Sequence, residues 1–209
     1  MDETDSPDTE ARILEAAHRV FLRRGTAGAR TQEIADEAGV NKALLHYYFR
    51  TKEKLAEAVV VRTAQTLLPR MLMTLASDLP LREKLERAAG FELDMLDANP
   101  YLPGFLISEF QYQPDRLRGL LDGAFPIAQR RDAVFDALQR QLDAEAEAGR
   151  LRPTRADDFV VAFMSLLVFP FVAAPMLEAA LGLDADARRA MIARRRADLP
   201  DLLLGAFAA

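Results

Sequence analysis

Apolar residues recur every three to four positions along this chain, in segments separated by glycine and proline. That period belongs to helices that each bury one face. From Ala11 to Arg24, Ile13, Ala17, Val20 and Phe21 form one stripe with charges opposite, and Gly25 is the expected end. Thr31 to Ala38 is a short segment closed by Gly39, and Asn41 to Phe49 is another. Thr51 opens a long segment to about Asp78, expected to bend at Pro69, whose ring clashes with the preceding turn and removes a donor. Leu81 to Ala98 carries Leu85, Ala88, Ala89, Leu93 and Leu96 at helical spacing. Pro100 and Pro114 bound a shorter aromatic piece, Tyr101 to Gln113, and a brief segment follows to Gly123. Ile127 to Ala148 reads as a long amphipathic helix, stopped by Gly149 and Pro153. An apolar helix from about Asp157 to Leu181 comes next, then a last one from Asp184 to Phe207, interrupted near Pro200. No alternating strand pattern is present, so the fold class is all-α, with about nine to ten helices.

Composition changes this picture in three places. There is no Cys among the 209 residues, which excludes disulfides, thiol nucleophiles and thiolate metal sites. The acidic start MDETDSPDTE is unlike a secretory signal, and a cytoplasmic location is expected. Phe159 to Leu177 runs 19 residues without a charge, long enough to span a bilayer. Pro170 and Pro175 within it, and acidic flanks at Asp157, Asp158 and Glu178, favour burial between protein surfaces, with no membrane partner.

Charge is distributed more informatively than its sum of −5. Residues 1–10 hold five acids and no base, 11–54 carry a net +4, and 55–209 a net −4. A small basic module between acidic neighbours suits a focused nucleic-acid contact with little non-specific binding.

Within that module, residues 31–49 read TQEIADEAGVNKALLHYYF. Thr31 is the expected N-cap of a first helix, and Glu33 favours its dipole. Ile34, Ala35 and Ala38 make an inward face small enough for close crossing, and Gly39 supplies the left-handed conformation that ends the helix. Asn41 caps the second helix, and Leu45 and Phe49 face the core. Lys42, Ala43, His46 and Tyr47 are left on the outer side, near the end that a major-groove reader presents to bases.

These residues, together with Thr51, Lys52, Glu53, Lys54 and Leu55, resemble the DNA-binding signature of the TetR family of regulators, and Ile13, Ala17, Phe21 and Gly25 fit the preceding helix. The resemblance covers about residues 11–60 and implies a three-helix DNA-binding domain joined to a helical ligand-binding and dimerisation domain. Thr31 would then contact phosphate. Lys42, Ala43, Leu44 and His46 would face the major groove, Tyr47 and Tyr48 would bond phosphates, and Lys52 would hold the backbone. Leu44 and His46 depart from the residues commoner at their positions. The expected divisions are an acidic disordered tail at 1–10, the helix-turn-helix domain at 11–54 (motif about 30–49) and the second domain at 55–209. The implied partners are double-stranded operator DNA and a second copy of the chain.

No enzyme is expected. His18 and His46 both fall in the module, none of Ser6, Ser77, Ser108 and Ser165 sits in a nucleophile turn, and no phosphate loop or metal spacing is present, so no cofactor or metal is called for. The ten Phe after Leu55 suggest more than a dimerising scaffold. Phe91, Met95, Phe105, Phe110, Tyr112, Phe125, Met164 and Phe169 are candidates to line a cavity for an apolar or amphipathic effector. Packing alone would also use such residues. The expected function is a sequence-specific regulator, a repressor released from its operator by a hydrophobic molecule. A ligand-independent DNA binder or an activator of the same fold is the alternative.

Overall fold

The computed structural model describes residues 7–104, 107, 115, 118–119 and 127–209, with side chains except at 7, 64, 66–69, 72 and 127–131. Two compact units divide the chain: Met1–Gln65 with Asn99–Ala124, and Thr66–Ala98 with Phe125–Ala209.

In the first unit, α1 (Pro7–Gly28) buries Ile13, Ala16, Ala17, Val20 and Phe21, the spacing of one helical face. It starts ahead of the expected Ala11, so Pro7 to Glu10 belong to a helix and not to a tail. Proline suits a first turn, and Asp8 and Glu10 complement the dipole there. Residues 1–6 of the expected tail lie outside the described residues. Gly25 is non-helical (φ 65°, ψ 169°), so α1 is two helices meeting at a kink there, where the sequence placed a helix end. α2 (Thr31–Ala38) and α3 (Lys42–Phe49) follow, and α4 (Lys52–Ala76) is one helix through position 69. Leu55, Ala56, Val59 and Val60 of α4 are buried, and the first unit extends to Gln65 inside α4, past the boundary at residue 54 expected from the sequence. The segment after Asn99 also belongs to this unit. The Tyr101 hydroxyl is hydrogen-bonded to His18 Nδ1 at 2.9 Å, and its ring stands 5.8 Å from that of Phe21.

The second unit is built on α5 (Leu81–Ala98), α6 (Ile127–Glu147), α7 (Ala156–Val172), α8 (Ala174–Leu181) and α9 (Ala185–Ala206). α7 packs against all four others. Its Phe159, Phe163, Leu167 and Phe171, four apart, meet Leu85, Ala89, Leu93 and Leu96 of α5, Leu138 and Leu142 of α6, and Leu199 and Leu203 of α9 in one core. Each such aliphatic or aromatic side chain contributes about 1.5–3 kcal/mol by burial. The expected single helix over 157–181 is two, bent by 71° at Ala173. Pro175 has no N–H for the preceding turn and its ring crowds that turn, whereas in the first turn of a new helix a proline is tolerated, and there α8 places it. Among the described residues, no single helix is long and apolar enough to cross a membrane. α9, by contrast, runs unbroken through Pro200, which is buried between Leu199 and Leu203.

Side-chain amides and one amine hold the connections. Gln139 Oε1 accepts from the Ala156 N–H at 2.8 Å, satisfying an orphan donor at the start of α7. Lys84 Nζ donates to the Leu75 carbonyl near the end of α4 (2.9 Å), and Gln141 Nε2 to that of Leu79 (2.9 Å). No strand occurs among the described residues. One isolated antiparallel bridge, Leu151 with Ala208, ties the chain end to the α6–α7 connection.

Candidate nucleic-acid interface

The turn between α2 and α3 is made by three residues. Gly39 takes the left-handed conformation (φ 66°, ψ 34°), its N–H donating to the Asp36 carbonyl, while the Val40 N–H reaches the Ala35 carbonyl at 3.0 Å. This pair of bonds is a Schellman closure, and it aims the chain back across α2. Asn41 then caps α3, its Oδ1 accepting from the Leu44 N–H at 2.8 Å. Thr31 does not cap α2. Arg30 holds the cap position without a side-chain bond, and Thr31 is the first helical residue, its hydroxyl without a partner among the described residues.

Leu45 and Phe49 anchor α3 in the core. Lys42, Ala43, His46 and Tyr47 are exposed, Tyr47 by 59%, and Leu44 and Tyr48 are half-buried. The Tyr47 and Tyr48 rings meet edge to face, 5.5 Å apart, which fixes both relative to the helix. The outward set expected from the sequence is therefore brought together on one short helix, with Leu44 at its margin.

The basic residues sort into engaged and available groups. Glu37 accepts from Arg19 Nε (2.8 Å) and Arg23 Nη2 (2.6 Å), and those two guanidinium groups, Arg19 first, hold its carboxyl below the usual range. Glu33 stands 3.6 Å from Arg24 and 4.0 Å from Arg23. These exposed pairs add little stability, but they set α2 against α1 and engage three of the module's cations with two carboxylates. Lys54 pairs with buried Glu57 at 3.0 Å. Lys52 Nζ donates to the carbonyls of Ala27 (3.1 Å) and Ala29 (3.2 Å), fastening the end of α1 to the start of α4. That leaves Arg12 on α1, and Arg30, Lys42 and Arg50 at the ends of α2 and α3, exposed and without an acidic or carbonyl partner among the described residues.

Arg50 also departs from ordinary backbone geometry. At φ 60°, ψ −54° it is the one described non-glycine residue with positive φ, and the Thr51 N–H reaches over it to the Phe49 carbonyl at 2.5 Å. This is a strained γ-turn, followed by Thr51, whose hydroxyl accepts from the Lys54 N–H at 3.2 Å to cap α4. The charge count of the sequence contained Arg30 and Arg50 but could not separate them from cations that ion pairs consume.

Of the residues proposed for an effector cavity, Phe91, Met95 and Met164 are half-buried, the last two against the core of the second unit. Phe169 is 51% exposed, in line with Val161, Ser165 and Val172 on the outer side of α7, and so does not close a cavity within the chain. Phe105, Phe110, Tyr112 and Phe125 lie outside the described residues.

The family model for bacterial regulatory proteins of the tetR family matches residues 13–59, the stretch that holds α2, the turn and α3. The HTH-type transcriptional activator FasR of Mycolicibacterium smegmatis is 31% identical over 69% of this chain and 65% of its own length, so the match spans just under two thirds of that relative. The HTH-type transcriptional repressor SCO4008 of Streptomyces coelicolor is 32% identical over 68% of this chain and 71% of its own. The fold also matches the crystal structure of PfmR, a TetR family transcriptional regulator from Thermus thermophilus, with a TM-score of 0.61 and 21% identity over 92% of this chain and 97% of that one. With the motif, the repressor's shared length and the fold in agreement, the chain belongs to the tetR family of bacterial regulatory proteins.

Proposed function

We propose that the chain is a homodimeric transcriptional repressor that binds operator DNA through α3 and is released by an apolar or amphipathic small molecule. The observation that carries the DNA reading is the outer face of α3: Lys42, Ala43, His46 and Tyr47 exposed beside a helix held inward by Leu45 and Phe49. A helix of that shape fits the major groove, with Lys42, Ala43, Leu44 and His46 toward base edges. Thr31, Tyr47 and Tyr48 would bond phosphates. Lys52, with two of its three protons on carbonyls, has one left for the backbone, and Arg30 and Arg50 add phosphate contacts that need no prior ion pair to break.

Dimerisation is supported by α7. Val161 (65% exposed), Phe169 and Val172 form an apolar stripe along its outer side, and Met176 and Leu181 of α8 are exposed as well. An apolar face of this kind marks an association surface. Pairing α7 and α9 with their copies as a four-helix bundle would cover it and present two reading helices about one DNA turn apart. Effector control draws on the half-buried Phe91, Met95 and Met164. A ligand favouring a dimer with misplaced reading helices would shift the population off DNA. The activator reading stays beside this one because one relative is named an activator. Such a protein works in the cytoplasm, where the chromosome is.

Selection of bound duplexes from a random pool, followed by footprinting of the winner, tests this function. A palindromic site protected in two adjacent major grooves is the expected result. Equal retention of all duplexes would reject it.

A further inference from the structure

Glu92 stands in the buried face of α5 and is 4% exposed. Its neighbours one turn away are Ala88, Ala89, Met95 and Leu96, none able to donate to it. Among the described residues, no hydrogen bond or ion pair reaches its carboxyl, and burial pushes it from 4.5 up to about 7. Most of the described cations on neighbouring elements are committed elsewhere. Arg70 of α4 stacks on the Phe91 ring, 4.1 Å from its centre. Lys84 donates to the Leu75 carbonyl, Arg195 of α9 to that of Leu166, and Arg196 to Asp94. Arg194 and Asp198 of α9 are exposed, and α7 carries no charge after Asp158. The carboxyl is thus buried with neither counter-charge nor donor among the described residues.

We infer that Glu92 is the charge-recognising group of the effector site, and that the effector is an organic cation with an apolar body, an amine or quaternary ammonium. Its charged head would pair with the carboxylate while its body lies along apolar side chains such as the half-buried Phe91 and Met95. A desolvated carboxylate is attracted to a cation far more strongly than one in water, and aromatic and thioether surfaces suit a weakly hydrated ammonium. An anion would be repelled there. A neutral ligand would have to use the protonated acid and would weaken as pH rises. This inference rests on the effector reading above and narrows its chemistry.

Isothermal titration of the full-length protein with decyltrimethylammonium, decanoate and decanol, each below its micelle concentration, tests it at pH 6 and pH 8. The cation is expected to bind wild type, with affinity rising about tenfold from pH 6 to pH 8 as the carboxyl ionises. Glu92→Gln, nearly isosteric, should weaken the cation at least about tenfold at pH 8, and Glu92→Leu should do the same while gaining affinity for decanol. Unfolding curves establish that both variants fold. Equal cation affinity in wild type and Glu92→Gln, tighter decanol than cation in wild type, or no binding of any probe overturns the inference. Operator displacement separates it from the function on which it rests. Decanol or decanoate releasing DNA while the cation does not bind leaves the sensor standing and removes Glu92 from it. Glu92-dependent cation binding that leaves operator affinity unchanged keeps the site and removes its control of DNA.

Discussion

Arg195 Nε donates to the Leu166 carbonyl at 2.6 Å, and that carbonyl is the one Pro170 cannot serve. In a regular helix the N–H of residue 170 would bond the carbonyl of 166, and proline has none. A guanidinium from α9 therefore completes the α7 backbone, and burial pulls the Arg195 pKa down as the cost of placing it there. Arg195→Met should destabilise the protein by about 1–2 kcal/mol in urea unfolding. In a Pro170→Ala background, where residue 170 donates again, the same change should cost at least about 0.5 kcal/mol less. Strictly additive losses would show that the bond does not depend on the missing proline donor.

Arg50 is predicted to trade stability for DNA affinity. Arg50→Gly removes the positive-φ strain and should stabilise the fold by about 1 kcal/mol. The same variant should bind DNA more weakly on every sequence, with a salt slope smaller by about one counterion. Arg30→Ala should match the slope change without the stability gain. Unchanged salt slopes in both would remove these residues from the phosphate contacts.

Lys52 has a structural task that the sequence did not reveal. Lys52→Met breaks its bonds to the Ala27 and Ala29 carbonyls and should cost about 1–2 kcal/mol of stability as well as DNA affinity. Chemical unfolding of this variant next to Arg50→Ala checks the distinction, since only the former should lose stability.

How much could be read in advance followed the range of the interactions. The turn and the capping of α3 were legible because Gly39 and Asn41 act on backbone groups within a few residues. Thr31 was misplaced by one position, the ordinary uncertainty of a helix end. The unit boundary was not legible, because α4 keeps one helical pattern on both sides of it and only tertiary packing of Leu55 to Val60 assigns its first turns. Phe169 and Phe163 were equally unreadable, since α7 is apolar nearly all round and its period marks no buried side. Lys52 and Arg195 find carbonyls far away in the chain. Glu92 did carry a local signal, an acid at core spacing from Ala88, Ala89 and Leu96.

The buried Glu92 carboxyl predicts an unusual pH dependence. Its folded-state pKa is raised from 4.5 to about 7, so the folded protein holds the proton more tightly than the unfolded chain. Its contribution is best below pH 4.5, declines as pH rises through about 7, and is fully unfavourable above that. At about 1.4 kcal/mol per unit the swing is of order 3 kcal/mol. Urea unfolding at pH 5 and pH 8 should show Glu92→Gln losing less stability than wild type over that interval. Parallel losses in the two proteins would place the carboxylate in contact with solvent or a counter-charge.

The reading helix is tested most directly by fluorescence anisotropy on two duplexes, the selected palindrome and a scrambled sequence of equal composition, with wild type and His46→Ala. Wild type should bind the palindrome as a dimer at least about a thousandfold more tightly than the scrambled duplex. His46→Ala should bind the scrambled duplex as wild type does, lose about 1–3 kcal/mol on the palindrome, and prefer different bases at one or two positions in each half-site. Equal wild-type affinity for both duplexes, or an equal loss on both in His46→Ala, would contradict sequence reading by the outer face of α3.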